Sequence, residues 1–211
     1  MGRLKNGVFG GFSGKVGNVV GSSCRGVEYI KSVPVKMTNP RTKGQTKQRS
    51  SFIVTQNFLR TMIPIIRIGF KDYAVDGKSA FNAAMSYNMI NGIKNGTDGS
   101  AIDYPKVLIS RGLLCSSPLI NATVADDLLQ FDWDPSINEN AKSTDQVMVV
   151  AYNETKAESV LDINAGKRGS AATFIILPNE WNGDVIETYV AFKNEEATLV
   201  SDSYYTGSFD I

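Results

Sequence analysis

The chain has 211 residues, 42% hydrophobic and 20% charged, enough for one large globular domain or two small ones. No run of about 18 apolar residues occurs, so no bilayer-spanning helix is expected. Histidine is absent, which removes the commonest near-neutral acid–base group and excludes Ser-His-Asp and Cys-His catalysis and His-containing zinc sites. No metal site and no cofactor is expected.

The formal net charge of +1 hides a strong polarity along the chain. Residues 1–50 carry ten basic side chains, Arg3, Lys5, Lys15, Arg25, Lys31, Lys36, Arg41, Lys43, Lys47 and Arg49, against the single acid Glu28. Residues 111–211 carry six basic and sixteen acidic groups, a net of −10. A basic arm on an acidic body has three readings. It neutralises nucleic-acid phosphates, it docks on the acidic body of another copy, or it is a polarised solvated surface.

The first elements are predicted as β structure. Six glycines between Gly7 and Gly21 are interleaved with Val16, Val19 and Val20. Gly14-Lys15 is followed by Val16, where a phosphate-binding loop needs Ser or Thr, so these glycines read as tight turns and close backbone approaches. Val19–Val33 reads as a hairpin, in which Val19-Val20 leads into the segment Gly21–Gly26 and Val27–Val33 returns, and Pro34 stops its second strand. No apolar leader follows the charged start, so the protein is expected to be made in the cytoplasm without a signal peptide. Cys24 and Cys115 are expected as reduced thiols.

Helices follow. Asn39-Pro40 reads as a helix start. Phe52, Thr55, Leu59 and Met62 then fall on one helical face with Phe58 beside them, and Pro64 ends or kinks the helix. Ile65–Phe70 gives a second apolar piece. A third helix from near Ser79 to Ile90 is stopped by Asn91-Gly92. Asn95–Ser100 reads as a loop.

Beyond it the period becomes alternating. Lys106–Ser110, Leu129–Trp133, Val147–Tyr152, Thr173–Leu177, Val185–Phe192 and Thr198–Tyr204 are predicted strands, and so many short strands over about 100 residues suggest a sandwich. The fold class is therefore α+β, divided into 1–104 (arm plus helical section) and 105–211 (antiparallel β-sandwich).

Two resemblances attach to these residues. Leu129–Trp133, Glu187–Phe192 and Val200–Ser203 resemble a fibronectin type III or immunoglobulin-like module, with Tyr189 as its tyrosine near the start of a late strand. Gly14–Gly21, Tyr29–Ser32, Asn39–Thr42 with Gln45 and Gln48-Arg49, Ala80–Asn82 and the tryptophan strand Leu129–Trp133 resemble a family of uncharacterised proteins of Bacteroidota and their phages. Cys24 stands where that pattern has tryptophan. That resemblance implies architecture and no chemistry.

Among the carboxylates, Asp126-Asp127 and Glu195-Glu196 are sequence neighbours at probable turns, an unsuitable geometry for an acid–base pair. Asp132 and Asp134 lack the further oxygen ligands that calcium needs. No catalytic residue is assigned, and a non-enzymatic role is expected. The leading expectation is a structural or assembly subunit of a virion or phage-like particle. It would contact copies of itself or other particle proteins through the ten basic residues named above. The alternative is a nucleic-acid-binding protein that uses the same residues on phosphates, with Tyr29, Phe9 and Phe12 available to stack bases.

Overall fold

A computed structural model of the chain describes residues 3–4, 10–33, 39, 41–96, 99–125 and 127–211, with the side chains of Leu4 and Asn95 left aside. The expectations placed on Pro34, Pro40, Phe9 and Asp126 fall outside these residues. Two compact units divide the chain, residues 1–43 and 44–211. Positions 104 and 105 both lie within the second, in a single 3-10 turn.

The first unit is an antiparallel meander of β1 (Arg3–Leu4), β2 (Phe12–Val16), β3 (Val19–Cys24) and β4 (Val27–Ser32), in that spatial order. The β3–β4 hairpin forms as the sequence predicts, but β3 runs on through Gly21–Cys24, so only Arg25-Gly26 turns and Cys24 stands opposite Val27. Arg25 and Gly26 lie at φ +51° and +82°, the pair of left-handed residues that a type I′ turn requires. Gly21 is fixed by close approach, since a Cβ there would lie 2.1 Å from the Phe12 carbonyl oxygen.

The second unit contains α1 (Lys43–Arg60), α2 (Ile63–Gly69) and α3 (Ala80–Asn91), then β5 (Ile93–Gly96) and β6 (Gly99–Ile102). It continues through β7 (Asn121–Ala125), β8 (Leu128–Asp132), β9 (Gln146–Asn153), β10 (Glu158–Lys167), β11 (Ala172–Ile176), β12 (Val185–Lys193) and β13 (Tyr204–Asp210). The class is α+β, with helices and antiparallel sheets sharing one body. A four-stranded sheet in the order β10-β9-β12-β13 lies at its centre, and a three-stranded sheet runs β11-β8-β7.

Strand alternation builds two cores on the two faces of the central sheet. Met148, Val150, Tyr152, Tyr189 and Ala191 face the helices and pack with Phe58, Leu59, Met62, Ile65, Ile66 and Phe70. Val147, Val149, Ala151, Ile186, Val190 and Phe192 face the three-stranded sheet and pack with Leu129, Phe131, Trp133 and Ile175. Burial on both faces explains why β9 and β12 read as continuous apolar runs.

Several local expectations are corrected. α1 begins at Lys43, beyond Asn39, after Arg41 takes left-handed backbone at φ +44°. Its buried face is Ser51, Thr55, Phe58 and Leu59, while Phe52 is exposed. Pro64 sits in the first turn of α2, where its missing N–H costs nothing. Ser79 caps α3 by accepting from the Asn82 N–H at 3.0 Å, and Gly92 closes it as predicted. Of the expected loop, Asn95 and Gly96 pair in β5 with Ser100 and Gly99 of β6.

Lys106–Ser110 is not a sheet strand. Its backbone groups bond to Asn88 and Ser203 instead of to a neighbouring strand. Asn88 Nδ2 donates to the Leu108 carbonyl at 2.8 Å, the Leu108 N–H donates to Asn88 Oδ1 at 2.9 Å, and the Ile109 N–H donates to Ser203 Oγ at 3.0 Å. Thr198–Ser203 is likewise irregular, and the last strand is β13. Strands β7 and β10 went unpredicted. Tyr189 is the fifth residue of β12 and faces the helices, where its hydroxyl donates to the Tyr104 carbonyl at 3.0 Å.

Candidate interaction sites

Of the ten basic residues singled out in the sequence, Lys5 and Lys36 lie outside the described residues. The other eight are exposed. Arg3, Lys15 and Lys31 stand on β1, β2 and β4, Arg25 in the β3–β4 turn, and Arg41 and Lys43 at the end of the first unit. Lys47 and Arg49 belong to α1 in the second unit.

The sheet register brings two of them together. Lys15 pairs with Val20 and Val20 with Lys31, so both side chains leave one face, from backbones about 10 Å apart across two strand spacings. Tyr29, two residues before Lys31, shares that face, with the Lys31 Nζ 6.0 Å from its ring centre. Glu28 points to the opposite face. That opposite face carries Val16 and Val19, paired with each other, and Ile30 paired with Gly21. Val16 is 52% and Ile30 64% exposed, and among the described residues of this unit only Gly21 is buried.

In the second unit a cavity of about 360 Å³ opens between the 3-10 turn Lys71–Tyr73, α3 and the stretch after Ser110. The Arg111 guanidinium lies 4.5 Å from the Tyr73 ring centre and 4.9 Å from that of Tyr87. Its backbone is held on both sides: its N–H donates to the Gly69 carbonyl at 2.9 Å, and the Gly112 N–H donates to Asp202 Oδ1 at 2.9 Å. Gly69 permits this approach, because a Cβ there would sit 2.6 Å from Ser110 Cα. Sequence reasoning missed this site, since Tyr73, Tyr87 and Arg111 come from three separate elements.

Arg168 and Glu187 are among the buried charged residues. Arg168 Nε donates to Asp145 Oδ2 at 3.3 Å and its Nη2 to the Cys115 carbonyl at 2.6 Å, with the guanidinium 4.2 Å from the Phe192 ring centre. Trp133 Nε1 donates to the Arg168 carbonyl at 2.7 Å, so this residue ties the end of β8 to the loops around it. Glu187 is buried and accepts from the Tyr205 hydroxyl at 2.6 Å; burial pushes its carboxyl up, against the donors that pull it down. Burial also pushes Tyr104, Tyr152, Tyr189 and Tyr205 up, so these phenols stay protonated and act as packing and hydrogen-bonding groups.

Of the carboxylates weighed in the sequence, Asp134 accepts from the Ser136 N–H at 2.9 Å, Asp132 Oδ1 accepts from Gln130 Nε2 at 2.8 Å, and Glu195 and Glu196 are exposed beside the β12 end. Cys24 is exposed in the first unit and Cys115 half-buried in the second, both as free thiols. No helix among the described residues is long and apolar enough to cross a membrane.

The molecule is thus an α+β protein in which a helical layer and a three-stranded sheet cover the two faces of a central antiparallel sheet, preceded by a basic strand meander. The chain belongs to DUF6266, a family of unknown function whose model matches residues 11–207, across both units. No curated protein matches it.

Proposed function

We propose that the protein is a non-enzymatic assembly subunit of a virion or phage-like particle, and that its N-terminal unit docks on the acidic body of a second copy. The observation that carries this reading is the two-faced meander: Lys15 and Lys31 on one side, exposed Val16, Val19 and Ile30 on the other. Among its described residues this four-stranded sheet buries only Gly21, and the face that carries Val16, Val19 and Ile30 beside Glu28 gains stability when another surface covers it. The −10 charge of residues 111–211 supplies the complementary partner within the same sequence.

The order β11-β8-β7 facing β10-β9-β12-β13, with the chain crossing between sheets from β10 to β11, supports a fibronectin type III or immunoglobulin-like reading of the later strands. Trp133 at the end of β8 packs edge-on against Phe192 at 5.9 Å, in keeping with that resemblance. The Bacteroidota and phage setting rests on the sequence resemblance of Gly14–Arg49, Ala80–Asn82 and Leu129–Trp133 alone.

Deletion of residues 1–35 is expected to abolish self-association while the body stays folded, read by light scattering and circular dichroism. Assembly of the truncated protein contradicts the proposal. Nucleic-acid binding is the second reading, favoured by Tyr29 beside Lys31 on the basic face. It predicts co-purifying nucleic acid and a monomer after nuclease treatment.

A further inference from the structure

We infer that the Arg111 cavity is a binding site for a carboxylate carried on an apolar or aromatic body. Arginine presents five donors in a planar fork that matches a carboxylate, and stacking on aromatic rings fixes that plane in advance. Here two rings do so, Tyr73 and Tyr87, while the backbone on either side of Arg111 is tied to Gly69 and Asp202. Among the described residues no carboxylate lies within ion-pair distance of the guanidinium, which leaves its fork for a ligand.

The rest of the wall sets the ligand's class. Val75 and Ile90 line the cavity although 56% and 78% exposed, so an apolar group seated there leaves water together with them. Lys78 adds a second positive charge and Asp72 offsets one, so the wall carries a net single positive charge. That balance suits a monoanion better than a phosphate dianion. A volume of about 360 Å³ lies at the small end of ligand pockets, the size of a small aryl acid or the last residues of a peptide. The site lies wholly in the second unit and does not depend on the assembly proposal.

The test is a titration of the full-length protein, followed by the amide resonances of Tyr87 and Arg111. The probes are 3-phenylpropionate, its uncharged amide, phenyl phosphate and N-acetyl-Ala-Ala-Phe with a free carboxylate. The two acids are expected to shift these resonances saturably, with the amide at least about tenfold weaker. Arg111→Lys, which keeps the charge and loses the fork, is expected to weaken the acids about tenfold without changing the melting temperature. Tighter binding of the peptide acid assigns the site to a chain terminus, and tighter binding of phenylpropionate to a free organic acid. No saturable shift at about 10 mM of either acid overturns the inference. So does equal binding of the amide, tighter binding of phenyl phosphate, or an unchanged affinity in Arg111→Lys.

Discussion

The two units solve the problem of burying a strand in opposite ways. In the body, β9 and β12 are covered on both faces, and nearly every residue from Val147 to Asn153 and from Ile186 to Lys193 is buried. In the meander, β4 is exposed at every position, with Tyr29 and Ile30 on opposite faces. Secondary structure in the body is thus a product of packing, while in the meander it rests on turns and strand pairing. A change in the body therefore reads out as stability. Under the proposed assembly, a change on the meander reads out as association.

The largest expected effect is at Arg168. Replacing it by alanine leaves the buried Asp145 carboxylate without its counter-charge, held by the Lys142 N–H, and removes the guanidinium from Phe192. It is expected to cost about 3–5 kcal/mol, seen as a lowered denaturation midpoint. Next comes Asn88→Ala, which strips the Leu108 N–H and carbonyl of their partners; about 1–3 kcal/mol is expected by the same measurement.

Glu187→Gln gives a smaller, pH-dependent change. A carboxyl raised by burial favours the fold in its protonated form. Its contribution is fully present below the ordinary carboxyl value of 4.5 and is lost as pH rises through the raised value. The variant is therefore expected to melt above the wild type near neutral pH and to lose that advantage as the pH falls towards 4.5. An advantage that grows on acidification contradicts the assigned cause. Smallest of all is Ile30→Ser, expected to move the body's melting by no more than about 0.5 kcal/mol while weakening self-association.

What could be read in the sequence follows the same division. Alternation located β8 and β11, apolar runs located β9 and β12, and the turn-rich segment Gly21–Gly26 between valines located the hairpin, because each signal is local. The run Val147–Tyr152 also carried a mark of burial on both faces, which points to a third layer and was read only as a sandwich strand. Lys106–Ser110 was misread because its partners are the side chains of Asn88 and Ser203, which no periodicity reveals. β10 was missed because its pairing with β9 shifts register between Asp162 and Gly166, which blurs its alternation. The basic residues of the meander were visible by charge, but only strand register shows that Lys15 and Lys31 share a face. The Arg111 cavity was not legible, since its two rings and its guanidinium meet only in three dimensions.

The assembly account is tested most directly by the light-scattering mass of nuclease-treated full-length protein at about 50 and 500 mM salt, beside a Lys15→Glu/Lys31→Glu variant. The account predicts a defined oligomer for the wild type at low salt, dissociating at high salt and absent in the variant at both. A wild-type monomer under both conditions, or an oligomer that the variant forms equally well, contradicts it.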